Sequence, residues 1–138
     1  MRYLLDTNIF IYAALETDRL DRDVAAVLED YDNQLYISTE STKELVQLFK
    51  RKNIGNTIWK SAKMMIEDME DNFHITILPI KKEHLLTYAG LETLEFHNDP
   101  SDHVSIAQAI TEKMPLISSD LKFPFYIQQG LDLVLNKK

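Results

Sequence analysis

Acidic side chains recur along this chain where an apolar run gives way to a helix or a turn. Asp6 closes the run Tyr3-Leu4-Leu5 and is followed by Thr7 and Asn8. Glu44 lies in Ser38-Thr39-Glu40-Ser41-Thr42-Lys43-Glu44, about two helical turns beyond the run Leu35-Tyr36-Ile37. Asp99 and Asp102 sit in His97-Asn98-Asp99-Pro100-Ser101-Asp102, and Asp120 ends Ser118-Ser119-Asp120. Carboxylates drawn together from such separate segments repel one another and persist only around something positive. All-oxygen donors of this hardness suit Mg²⁺ or Mn²⁺. Each residue also has a plainer use. Asp6 can cap the helix that starts at Thr7, and Asp99 is a natural N-cap with Pro100 at the first helical position. Glu44 can be a solvated surface glutamate and Asp120 a turn residue. Asp102 fits a capping role less well, because Ser105, Ile106 and Ala109 place it beside an apolar face.

The elements that must position these groups follow from hydrophobic patterning. Tyr3 to Leu5, Leu35 to Ile37, Ile75 to Leu78, Leu116 to Ile117 and Leu133 to Leu135 read as short buried strands. Between them run helical patterns: Ile9 to Leu15, a stretch around Val24 to Leu28, and about Thr39 to Arg51. Further patterns are Ile58, Ala62, Met65, Ile66 and Met69 at helical spacing, then about Lys82 to Leu91, and a helix opened by Asp99-Pro100 with Ile106, Ala107 and Ile110 on its apolar face. Strands alternating with helices predict a three-layer α/β sandwich: a central sheet of short parallel strands flanked by helices. Ligands of such sheets gather beyond the carboxyl ends of the strands, which is where the acidic residues fall.

Bulk composition sets the outer bounds. With 138 residues, 45% of them hydrophobic, the chain is expected to form a single domain over residues 1–138. No apolar run approaches a membrane span and no signal-peptide pattern opens the chain, so a cytoplasmic, non-membrane protein is expected. With Cys 0, disulfides and thiolate ligands are excluded. The formal charge of −7 opposes binding to a phosphate backbone unless cations intervene or basic residues cluster. Lys50, Arg51 and Lys52, with Lys43, Lys60 and Lys63 nearby in sequence, are the one such cluster. The histidines, His74, His84, His97 and His103, form no evident acid–base pair, and His74 and His84 read as surface or strand-end residues.

Taken together, the N-terminal strand running into Asp6-Thr7-Asn8, the segment Ser38, Ser41, Glu44, Leu45, and His97 to Asp102 followed by Ile106-Ala107-Gln108-Ala109 resemble the PIN-domain nucleases. The late strand ending in Ser118-Ser119-Asp120 fits as well. Order and length are similar to the VapC-like toxins of bacterial toxin–antitoxin pairs, over essentially the whole chain. The resemblance implies Asp6, Glu44 and Asp102 as core acidic residues and Asp120 as the fourth. It also implies endoribonuclease activity dependent on Mg²⁺ or Mn²⁺, a homodimer, and a small antitoxin partner. Asp6 and Asp102 are then the expected direct metal ligands, with Glu44 and Asp120 completing the site. Thr7, Asn8, Ser38, Asp99 and Ser118 are the supporting shell. One departure is His103, where relatives commonly carry arginine.

Other chemistries compete. A phosphoacceptor signalling domain also holds Mg²⁺ in an acidic pocket, but needs an acidic pair after the first strand and a lysine after a late one. A haloacid-dehalogenase-like phosphatase wants aspartate where Asn8 stands. A non-catalytic PIN-like scaffold that binds RNA or protein is the remaining alternative.

Overall fold

The computed structural model describes residues 1–138 except 53 and 55–57. Strands β1 (Arg2–Leu5), β2 (Gln34–Ser38), β3 (Ile75–Leu78), β4 (Leu116–Ser118) and β5 (Leu133–Leu135) form one sheet in the order β3-β2-β1-β4-β5. Every neighbouring pair is parallel, with Leu4 opposite Tyr36 on one side and Leu116 on the other. The helices are α1 (Thr7–Leu15), α2 (Arg22–Glu29), α3 (Thr39–Lys50), α4 (Ala62–Asp71), α5 (Lys82–Gly90) and α6 (Pro100–Glu112), with short 3₁₀ segments at Thr17–Arg19 and Phe123–Gln129.

Alternation along the strands divides the core into two layers. Leu5, Ile37 and Ile117 pack with Ile9, Phe10, Leu45, Met65 and Met69 on one face of the sheet. Their neighbours Leu4 and Leu116 point the other way, against Ile106, Met114, Phe123 and Tyr126. Leu4, Leu5, Leu116 and Ile117 are all fully buried, as a parallel sheet covered on both faces requires. Met65 and Met69 fill the core beneath α4, while Ile58 lies outside that helix and is exposed.

His84 is not a surface residue. It is buried at the start of α5, where its Nδ1 accepts the Lys81 amide and its Nε2 lies 2.7 Å from Glu112 Oε2 on α6. Its neighbours Lys82 and Glu83 gave the segment an exposed look, yet the imidazole itself closes the helix end. His74 is exposed just before β3.

The strand order places the site. It reverses direction between β1 and β4, so the connections leaving those two strands part company and leave a crevice at their carboxyl ends. Phosphoacceptor domains of the flavodoxin-like type run in the order 2-1-3-4-5, and this sheet does not. No helix among the described residues is long and apolar enough to cross a membrane.

Candidate active site

Asp6 leaves β1 directly into the crevice. Its backbone is extended (φ −71°, ψ 158°), and its Oδ1 accepts the Thr7 amide at 2.9 Å, so it does cap α1. Its other oxygen is also engaged: the Ser118 hydroxyl at the end of β4 donates to Oδ2 at 2.8 Å. The same Ser118 oxygen accepts the Asp120 amide at 3.0 Å. Through this single hydroxyl, the ends of the two central strands are tied together and Asp120 is drawn toward Asp6. Asp120 also behaves as a turn residue, accepting the Lys122 amide, with Lys122 Nζ 3.2 Å from its Oδ1.

Asp99 and Asp102 divide the opening turn of α6 between them. Asp99 Oδ1 accepts the amides of Ser101 and Asp102 and is the cap. Asp102 is thereby released from capping, and its Oδ2 lies 2.9 Å from His97 Nε2. Glu44 reaches in from α3, half-buried, with the Thr7 side chain close enough to lower its carboxyl against the rise that burial imposes. Ser38 is buried as the N-cap of α3, its Oγ accepting the Glu40 amide, and Asn8 is exposed. Among the described residues neither Asn8 nor Ser38 hydrogen-bonds to a carboxylate of the crevice. Thr7 and Ser118 do.

The electrostatics show what it costs to assemble this group. Burial, then the Asp102 charge and more weakly that of Glu44, push the Asp6 carboxyl up from 3.8 to about 7, against the pull of its hydrogen bonds to Ser118 and Thr7. Burial and the charges of Asp99, Asp120 and Glu44 likewise raise Asp102 from 3.8 to about 7, with Lys122 opposing. Burial also raises Glu44, the Thr7 hydrogen bond opposing. The N-terminal ends of α1 and α6 favour negative charge by up to about 2 kcal/mol each. A rise of about 3 units corresponds to about 4 kcal/mol, so desolvation and mutual repulsion win. Perturbation of this kind, focused in a crevice at a topological switch point, makes the crevice the candidate functional site.

The donor set fits a divalent cation. His97, Asp102 and Asp120 each present one ligand atom, all within 4.8 Å of one another. The oxygens of Asp6, Glu44, Asp102 and Asp120 are the hard donors Mg²⁺ and Mn²⁺ take. No hydrogen bond among the described residues reaches Asp102 Oδ1, which leaves that oxygen available.

His97 belongs to the sequence motif but has no role there, and the sequence pattern does not single out Tyr126. His97 is buried beneath Asp102, and its Nδ1 lies 2.8 Å from the Tyr126 hydroxyl. The ring of His103 packs against His97 at 4.5 Å, nearly perpendicular, and its buried Nε2 has no hydrogen-bond partner among the described residues. Burial and the neighbouring His97 hold the His103 pKa down. The position after Asp102 is thus turned inward and supplies no cation to the crevice. His97 was visible in the His97 to Asp102 motif as a residue type; nothing in the sequence paired it with Tyr126.

Solved structures share this arrangement of strands and helices. VapBC2 from Rickettsia felis, solved with a DNA fragment from the promoter, aligns with a TM-score of 0.69 at 19% identity, covering 99% of this chain and 100% of that one. VapBC-1 from nontypeable Haemophilus influenzae aligns at 0.67 and 20% identity over 100% of both chains. FitAcB from Neisseria gonorrhoeae aligns at 0.60 and 20% identity over 99% and 97%. At these identities the likeness is one of fold. No curated protein sequence matches the chain. The model of the PIN domain family matches residues 3–126, from β1 to Tyr126 and across every acidic residue of the crevice, and the chain belongs to that family.

Proposed function

We propose that this protein is a divalent-metal-dependent endoribonuclease that hydrolyses RNA phosphodiester bonds and serves as the toxin of a toxin–antitoxin pair. The observation that carries the catalytic reading is the crevice itself. Asp6, Glu44, Asp102 and Asp120 are brought there from separate segments, and the carboxyls of Asp6 and Asp102 are held near pKa 7 by burial and by neighbouring carboxylates. A fold does not maintain such repulsion for stability, and a cation among the carboxylates offsets it.

Asp6 and Asp102 would hold the metal directly, with Glu44 and Asp120 completing the site. Bound there, Mg²⁺ or Mn²⁺ supplies Lewis acidity: it neutralises phosphate charge and acidifies a water for attack. The chain's own residues provide fixed geometry. Ser118 and the Thr7 amide clamp the two oxygens of Asp6. The Thr7 side chain stabilises the ionised form of Glu44, and the Ser118 oxygen anchors the backbone of Asp120. Lys122, about half exposed beside Asp120, is placed to meet the phosphate backbone of a substrate. Lys43 and Lys50 line a groove of about 410 Å³ with Val46, Ile66 and Ile77, which gives the acidic chain a basic flank on α3.

The toxin role is supported by the fold-level likeness to the VapBC2, VapBC-1 and FitAcB structures. An anionic crevice is also well matched to an inserted arginine or lysine of a partner. The experiment is cleavage of end-labelled RNA and of the same sequence as DNA, in Mg²⁺, in Mn²⁺ and in excess chelator, with Asp6→Asn as control. Metal-dependent cutting of RNA that Asp6→Asn lacks is expected. Equal cleavage in chelator, or by Asp6→Asn, overturns the mechanism. Co-expression with the product of the neighbouring reading frame should yield a complex without activity.

A further inference from the structure

Tyr126 lies 29 positions from His97 in sequence and is fully buried, yet it joins a hydrogen-bonded chain that begins on a backbone amide and finishes on a site carboxylate. The Leu94 amide approaches the Tyr126 hydroxyl at 3.1 Å. An amide nitrogen can only donate, so the phenol oxygen accepts there and its own proton is directed to His97 Nδ1, 2.8 Å away. Nδ1 is then the acceptor of the ring, and the ring proton sits on Nε2, 2.9 Å from Asp102 Oδ2. With the ring neutral and Asp102 ionised, a single imidazole tautomer satisfies every atom of this chain.

The ring is also held in place. His103 packs against it at 4.5 Å, Tyr126 at 5.6 Å and Phe123 at 5.8 Å. Rotation about the side-chain bonds would break both hydrogen bonds inside a closed aromatic cage. Asp102 in turn has one oxygen committed to His97 and Oδ1 left over.

We propose that His97 and Tyr126 are positioning residues: the Tyr126 hydroxyl fixes the tautomer of His97, and the Nε2 proton of His97 fixes the carboxylate of Asp102 so that Oδ1 would be left to a cation. This rests on the reading of Asp102 as a site carboxylate. His97 Nε2 lies close enough to Asp102 and Asp120 to suggest a direct ligand. Because that nitrogen carries the proton and gives it to Asp102, it has no lone pair for a metal. Groups that orient metal ligands in this way typically change metal affinity or activity by about 10–100-fold when removed.

The test uses Tyr126→Phe, which keeps the ring and deletes only the hydroxyl, alongside His97→Gln and His97→Leu. Nitrogen-15 spectra of the imidazoles in the metal-free protein report which ring nitrogen of His97 is protonated. Wild type should show the proton on Nε2, and Tyr126→Phe a mixture of tautomers. Mn²⁺ affinity should fall about 10–100-fold in Tyr126→Phe, with kcat reduced and the KM for RNA little changed. His97→Gln, whose amide can still donate to Asp102, should retain more Mn²⁺ affinity than His97→Leu. Wild-type spectra, affinity and kcat in Tyr126→Phe would overturn the inference. So would loss of the Nε2 proton when diamagnetic Mg²⁺ binds, which would make His97 a ligand. Mn²⁺ binding that depends on Tyr126 in a protein that cleaves no RNA would sink the nuclease reading and keep this one; full cleavage by Tyr126→Phe and His97→Leu would do the reverse.

Discussion

Replacing Asp6 with asparagine removes a negative charge from a place that disfavours it, so in the cation-free protein the variant should be the more stable of the two. The Asp6 carboxyl is raised from 3.8 to about 7, chiefly by burial and then by Asp102. The folded state therefore holds its proton to higher pH than the unfolded chain. As pH climbs from about 4 to about 7, the unfolded state ionises while the folded state does not, and stability falls across that window. Above about pH 7 the loss is complete and levels off. A rise of about 3 units is worth about 4 kcal/mol, at 1.36 kcal/mol per unit. Asparagine avoids that loss and keeps an oxygen for the Thr7 amide, but gives up one good acceptor for the Ser118 hydroxyl. That lost bond costs about 1–3 kcal/mol. The net expectation at about pH 8 is a gain of about 1–3 kcal/mol.

Urea unfolding in excess chelator at about pH 5 and about pH 8 measures this. The decisive quantity is the difference between variant and wild type, because Asp21 contributes a slope of opposite sign that cancels in the comparison. Backbone hydrogen bonds from Lys137, Val24 and Asp23, with the Lys137 charge, outweigh its burial and hold its carboxyl below the usual range, so its contribution is lost as pH falls. The variant's advantage should be present at about pH 8 and shrink toward pH 4. At Mg²⁺ a thousand times Kd the order should reverse, since wild type then gains about 4.1 kcal/mol. A variant less stable than wild type at pH 8 without metal, or an advantage independent of pH, would refute the account of Asp6 as a carboxylate held at the expense of the fold.

Other predictions follow from the same geometry. Asp102→Asn should remove at least about a hundredfold of activity with the fold intact, whereas Asp99→Asn should be mild, because asparagine accepts capping hydrogen bonds as aspartate does; circular dichroism and cleavage assays on both check this. Mn²⁺ binding must displace protons from Asp6 and Asp102, so calorimetric affinity should rise with pH through about 7 and level off above it. Cleavage products should carry 5′-phosphate and 3′-hydroxyl ends, read by their sensitivity to a 5′-phosphate-dependent exonuclease. Cyclic-phosphate ends would point instead to attack by the 2′-hydroxyl.

The strands were legible because each is a run of branched apolar residues bounded by turn or helix-start residues, and the parallel order followed from their alternation with helices. Asp6, Asp102 and Asp120 were legible as residues at strand ends and helix starts, the points a parallel sheet turns toward its crevice. What escaped were features made by contacts between distant residues. His84 is carried among charged neighbours, and only its bond to Glu112 on another helix explains its burial. Tyr126 stands in Phe123-Pro124-Phe125-Tyr126, a 3₁₀ segment with neither strand nor helix periodicity, and meets His97 across 29 positions of sequence. Ile58 continued the helical spacing of α4 on paper, but the helix begins only after the Ser61 cap.

The opening turn of α6 shows why two aspartates three residues apart have different fates. A helix start leaves amides without partners, and one carboxylate can serve only so many of them. Asp99 takes that duty, accepting the Ser101 and Asp102 amides through one oxygen. Pro100, at the first helical position, has no amide to satisfy. Asp102 is then free of the backbone and lies on the boundary between the apolar face of α6 and the crevice, where His97 can claim one oxygen and leave the other. At β1 no second acid is available, and Asp6 must serve both ends, capping α1 with one oxygen while Ser118 holds the second. That difference predicts unequal tolerance. Asparagine at 102 changes the crevice alone, whereas at Asp6 it also disturbs the link between β1 and β4. An Asp6→Asn, Asp102→Asn double variant should therefore show no further loss of cleavage beyond either single change, while both substitutions relieve a raised carboxyl and only the one at Asp6 gives back part of that gain through the weakened Ser118 bond.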